Sequence, residues 1–187
     1  MNRTRFGVMT LVMLVFFGIV AATAGSSHGE RVGIRDDCDP ATFNLPPPAA
    51  PGPGTCVGNG ETTFPDFVAQ LQAEGNAHKW RFDADNVELK RGQTLSLRSE
   101  GGEFHTFTEV KNFGGGCIPF LNGLLHLTPV PECQPVDPNA GVPVAFLTTG
   151  VPPGGSSTVT GLAPGVHHFQ CLIHPWMRTT VVVRADH

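Results

Sequence analysis

Three residues set the terms for this chain. Cys171, His174 and Met177 fall at i, i+3 and i+6 in the stretch His168-Phe169-Gln170-Cys171-Leu172-Ile173-His174-Pro175-Trp176-Met177-Arg178. Strand-like runs flank them, Val166 to Cys171 before and Thr179 to Arg184 after. A short loop between two strands lets a thiol, an imidazole and a thioether converge on one point, and Pro175 stiffens that loop by fixing its own φ. Together these groups are the ligand types of a mononuclear type 1 copper site, which takes two His and one Cys as strong ligands and a weak axial Met. The bland alternative is a free core cysteine beside an incidental His and Met. Zinc also takes Cys and His, but it binds a thioether poorly, so Met177 argues for copper.

The loop supplies one imidazole, so the second has to come from elsewhere in the sheet. His105 suits that place: in Gly101-Gly102-Glu103-Phe104-His105-Thr106-Phe107-Thr108 it follows a turn within a strand-like segment.

The cysteine count supports the same reading. Cys38, Cys56, Cys117, Cys133 and Cys171 make five, an odd number. Arg3 and Arg5 precede an apolar run from Val8 to Val20, and Ala22-Thr23-Ala24 stands before Gly25. This is the layout of a secretory signal peptide over residues 1–24, with an uncleaved anchor as the alternative. The run is short of the roughly 20 residues a spanning helix needs, so no membrane span is expected after cleavage. A periplasmic or secreted location follows, and there thiols tend to pair. Nearest-neighbour pairing, Cys38–Cys56 and Cys117–Cys133, leaves Cys171 over, although four cysteines allow three connectivities.

With 12 Lys+Arg against 16 Asp+Glu and no basic run, the chain lacks the footprint of a nucleic-acid binder. Its acidic balance suits a basic protein partner. Gly (23) and Pro (17) are abundant, which favours a β-rich domain with many turns. From Gly25 to about Phe64 the sequence reads as irregular, with the Pro/Gly-rich Leu45 to Gly54 as an arm stapled by Cys38–Cys56. Pro65 to Gly75 reads as a short helix with Phe67, Val68 and Leu71 on one side. Strands are expected at Lys79–Phe82, Val87–Lys90, Thr94–Arg98, Phe104–Val110, Ser157–Thr160, Val166–Cys171 and Thr179–Arg184. A long Gly/Pro-rich stretch from Lys111 to about Ser156 interrupts them, and a loop of that length usually has structure or a function of its own. The fold class expected is all-β, a Greek-key sandwich or barrel with a short N-terminal helix and a long disulfide-containing loop insertion. The division is 1–24 signal peptide, 25–76 N-terminal extension and 77–187 metal-binding domain.

The loop Cys171 to Met177, with a Pro-aromatic-Met after His174, resembles that of the cupredoxins, the blue copper proteins, and within them the amicyanin and plastocyanin kind. Trp80 to Leu95 is similar to the family's early strand pair, joined here by Arg91-Gly92-Gln93-Thr94. The likeness covers roughly Lys79–Val110 and Val166–Arg184. It implies a plastocyanin-like domain with His105, Cys171, His174 and Met177 as the ligands of one type 1 copper. It also implies a monomeric electron carrier, not an enzyme, that serves a redox protein donor and acceptor. A periplasmic or extracellular protein for copper trafficking or storage is the alternative. Nothing resembles the His-x-His and His-Cys-His motifs of multicopper oxidases. Two departures stand out: Thr106 occupies a position where the family often has Asn, and the 111–156 insertion is long.

Of the remaining histidines, His28, His78, His126 and His187 read as solvated side chains in loops or at the terminus, and one of His167 and His168 has to face outward because strand neighbours point to opposite faces. Ile118 to Leu125 suits either a satellite core or a cover over the copper end with a docking patch for a redox partner. Trp176 either shields the metal or fills the loop's base. His174, on the loop, is expected to be the ligand that approaches the surface.

Overall fold

The computed structural model describes residues 29–185, so the signal-peptide reading of 1–24 lies outside the described residues, as do His28 and His187. Two four-stranded sheets carry the fold. The first contains β1 (Glu30–Arg35), β2 (Arg81–Phe82), β4 (Leu95–Ser99) and β8 (Ser156–Val159), in the order β2-β1-β4-β8. The second contains β3 (Asn86–Lys90), β6 (Thr108–Val110), β9 (Gly165–Gln170) and β10 (Arg178–Arg184), in the order β3-β10-β9-β6. A small third pair joins β5 (His105–Thr106) to β7 (Gly150–Val151).

Alternation explains which side chains go inside. In β4, Leu95 and Leu97 are buried while Arg98 is exposed; in β10, Thr179, Val181 and Val183 are the buried set. Successive strand residues point to opposite faces, so each strand contributes one apolar row. Val32, Ile34, Phe82, Leu95 and Leu97 of one sheet meet Val87, Leu89, Phe169, Val181 and Val183 of the other in a single core cluster. Phe107 stacks on Phe169, with ring centroids 4.5 Å apart, and meets Phe82 edge-on at 4.9 Å.

The helix α2 (Phe64–Glu74) occupies the stretch read as helical. Thr63 caps it by accepting from the Asp66 N–H at 3.2 Å, and Gly75 ends it at φ 72°. Glycine adopts that left-handed conformation without steric cost. Phe67 and Leu71, one turn apart, are its buried residues, and Phe67 packs on Trp80 at 4.7 Å.

Two readings need correction. Residues 25 to about 64 are not all irregular: β1 pairs in parallel with β4 over Glu30↔Leu95 to Ile34↔Ser99 and antiparallel with β2. A four-residue helix, α1 (Pro40–Phe43), follows it, capped by Asp39. Val32 and Ile34 at alternate positions were the available signal, but Gly33 between them and charged neighbours obscured it. Next, Phe104–Val110 is not one strand. Its first half pairs with β7 and its second with β9, and the Phe107 N–H donates to Thr149 O between them. The 111–156 segment has structure of its own, one of the two outcomes expected of a loop that long: it holds α3 (Pro119–Leu125), a 3-10 turn at Pro131–Cys133, α4 (Val144–Thr149) and β7. Cys38–Cys56 and Cys117–Cys133 are disulfides and Cys171 is a free, buried thiol. Among the described residues, no helix is long and apolar enough to cross a membrane.

Candidate metal centre

The pairing Arg178↔Gln170 makes residues 171–177 the hairpin loop between β9 and β10. The loop folds back on itself, because the Cys171 N–H donates to Met177 O at 3.0 Å and the Met177 N–H to His174 O at 2.9 Å. Cys171, His174 and Met177 therefore lie within one tight turn. His105 arrives from β5, opposite Val151.

His105, Cys171 and His174 come together with their donor atoms all within 4.8 Å of one another. The Cys171 Sγ lies 3.9 Å from His105 Nδ1 and 3.8 Å from His174 Nδ1, so both imidazoles present the same nitrogen to the sulfur. All are buried: His105 0%, Cys171 0% and His174 3% exposed. Met177, 1% exposed, belongs to the same core cluster as Cys171.

Of the two imidazoles His174 is the one that approaches the surface, at 3% exposed against 0% for His105 and lining a cavity, yet it is still buried. Phe67 from α2 meets its ring edge-on at 6.2 Å and Trp176 does so at 5.4 Å. Trp176 is itself held by its indole N–H, which donates to Trp80 O at 3.1 Å. It packs on this imidazole and is tied to the core through Trp80.

Behind the three donors stands a layer the sequence did not announce. Asp36 Oδ2 lies 2.9 Å from His105 Nε2, and its carboxylate also accepts from the Gly102 N–H at 2.8 Å and the Glu103 N–H at 3.1 Å. Gly101 permits that approach, since a Cβ there would sit 1.8 Å from Asp36 Oδ2. Burial works to raise the Asp36 pKa, but the His105 bond and charge, with the two backbone donors, outweigh it and bring it down to about 2. Burial likewise pushes His105 downward, yet its bonds to Asp36 and Cys171 win and lift it to about 10. Burial opposes ionisation of Cys171 too, and the two imidazoles overcome it, dropping the thiol well below its ordinary value.

Backbone donors add to this. The N–H groups of Thr106 and His174 point at Cys171 Sγ from 3.4 and 3.5 Å. The Thr106 hydroxyl accepts from the Leu172 N–H at 2.8 Å and is in turn bonded by Thr108 at 3.0 Å. Thr106 thus ties β5 to the loop across the site. The 111–156 segment braces the loop's other side: the Cys117 N–H donates to Leu172 O, and Gly116 fits where a Cβ would lie 2.3 Å from that oxygen. Arg178 donates to Pro175 O at 2.7 Å and Gly114 O at 3.3 Å.

Glu103 is the second missed residue. It is 4% exposed, its Oε2 accepts from the Trp80 indole N–H, and the same oxygen lies 3.6 Å from His174 Nε2. Burial raises its pKa. Each imidazole of the cluster therefore has a carboxylate on its far nitrogen, and only Glu103's place two residues before His105 hinted at either.

The other described histidines lie elsewhere. His167 bonds Glu109 at 2.7 Å and Ala163 O at 2.8 Å, His168 packs on Phe113 at 4.8 Å, His78 pairs with Glu74, and His126 ends α3 at φ 53°.

No family model matches the chain, and no curated protein is recognisably similar to it. Among solved structures it is similar to a reduced Cu(I) form of an amicyanin mutant at pH 4, with 17% identity over 58% of this chain and 77% of that one, TM-score 0.35. It is also similar to a purple cupredoxin from Nitrosopumilus maritimus, with 12% identity over 82% of this chain and 98% of that one, TM-score 0.38. The His-Cys-His group and its hairpin loop resemble a cupredoxin ligand set.

Proposed function

We propose that His105, Cys171, His174 and Met177 hold one type 1 copper ion, and that the protein carries single electrons between a donor and an acceptor protein outside the cytoplasm. The observation that carries this reading is the donor triangle. One thiol and two imidazoles face one point, with sulfur–nitrogen distances of 3.9 and 3.8 Å, and Met177 lies on the same loop, a donor set that suits copper because zinc binds a thioether poorly.

Copper in such a set supplies a reversible one-electron couple. The chain's own residues do the rest. Asp36 and Glu103 stand behind the imidazoles, the Thr106 and His174 amides favour the thiolate, and Phe67 and Trp176 pack against the His174 ring. Because the ligands are anchored to two strands and a braced hairpin, little can move when the charge changes. Burial of every donor favours a carrier over a store, which has to release its ion. In this reading 77–187 is a Greek-key cupredoxin sandwich, 25–76 completes and covers it, and 1–24 directs export; the two disulfides suit an oxidising compartment.

The test is absorption of the Cu(II)-loaded protein. An intense visible charge-transfer band is expected, reversibly bleached by mild reductant and abolished by Cys171→Ser. A band that survives in that variant would refute the ligand assignment, and readily exchangeable copper without reversible bleaching would favour a store.

A further inference from the structure

An apolar cavity of about 470 Å³ opens beside the metal centre, within the size range of small-molecule sites. Pro47, Pro48 and Ala50, inside the loop closed by Cys38–Cys56, form one wall. Ile118, Phe120 and Leu121, which follow Cys117 of the other disulfide, line the cavity too. Phe43, Phe64 and Phe67 also line it, so four phenyl rings face one space. Its polar side chains besides Thr55 are Glu103 and His174. Both contacts of the Glu103 carboxylate fall on Oε2, to Trp80 and His174. Phe120, also on the cavity lining, is 52% exposed.

We propose that this cavity binds a small planar aromatic molecule carrying one hydroxyl, with the hydroxyl at the Glu103 end and the ring among the phenylalanines. Aromatic side chains favour edge-to-face and offset contact with another ring. A site with apolar walls and a few convergent polar groups takes its ligand's orientation from those groups. A hydroxyl both donates and accepts, so it suits a carboxyl group and an imidazole side by side. A ligand seated here would lie against His174, a donor of the cluster. The site goes beyond the copper reading and does not depend on it.

Binding is tested on the full-length, metal-free protein with 2-naphthol as probe, by titration calorimetry and by intermolecular nuclear Overhauser contacts. Saturable one-to-one binding with Kd below about 1 mM is expected, and naphthalene, lacking the hydroxyl, should bind about tenfold more weakly. Contacts should appear from the probe to Ile118, Phe64 and Phe120. Ala50→Phe fills the cavity and should abolish binding; should that variant not fold, the contacts in the wild type decide alone. Contacts to other residues, or equal affinity for naphthalene, would overturn the proposal. So would absence of saturable binding, which would leave the cavity to a side chain of a docking protein. None of these outcomes touches the visible band that tests copper.

Discussion

His105 Nε2 lies 2.9 Å from Asp36 Oδ2, a bond that spans 69 residues of sequence and joins the end of β1 to the metal centre. It leaves Nδ1 as the only nitrogen of that imidazole free to face Cys171, 3.9 Å away. A carboxylate behind a ligating imidazole fixes its tautomer and ring plane and raises its basicity.

Removing that carboxylate should loosen the ion without emptying the site. Asp36→Ala is expected to lower copper affinity about 10- to 100-fold. Asp36→Asn keeps an oxygen that can accept from Nε2 and should lose less. Chelator competition at fixed pH measures both, and an unchanged affinity in Asp36→Ala would contradict a role for this bond.

Metal uptake should release a proton. The His105 pKa, raised to about 10, leaves the metal-free imidazole protonated on both nitrogens near neutral pH. A ligand nitrogen has to be bare, so binding displaces the Nδ1 proton. Below about pH 10, apparent affinity therefore climbs with pH, by about tenfold per unit from this group, and falls as the solution is acidified. Calorimetry in buffers of different ionisation enthalpy counts the proton; a count of zero would be inconsistent with the raised pKa.

Thr106→Val keeps the shape but deletes the acceptor for the Leu172 N–H. That amide is then left buried without its partner, at a cost of about 1–3 kcal/mol. Thr106→Ser should recover most of it. Urea unfolding of the metal-free variants reads the difference directly.

Met177→Leu preserves volume and apolar character in a core site that is 1% exposed. Copper should stay bound, and the reduction potential should move upward as the weak donor to the oxidised ion is withdrawn. Voltammetry provides the measurement, and loss of all copper would show that Met177 is more than a weak axial partner.

Cys171, His174 and Met177 could be read directly because their convergence is a local matter. Seven residues between two antiparallel strands have few ways to fold, and a leftover cysteine among paired ones marks itself. The alternating row of β4 was equally plain, since a period of two is written in Leu95-Ser96-Leu97-Arg98, whereas Thr179 to Val183 of β10 carries no such alternation. Asp36 and Glu103 were not, because an acidic residue's partner depends on which strands lie side by side. Only the parallel pairing of β1 with β4 sets Asp36 against the turn that leads to His105. Burial of His174 was decided in the same way: Phe67 reaches it from a helix about a hundred residues upstream, brought there by core packing. Chemistry carried by neighbours in sequence is legible one residue at a time, whereas contacts between distant segments exist only once the hydrophobic core has chosen how the sheets and helices meet.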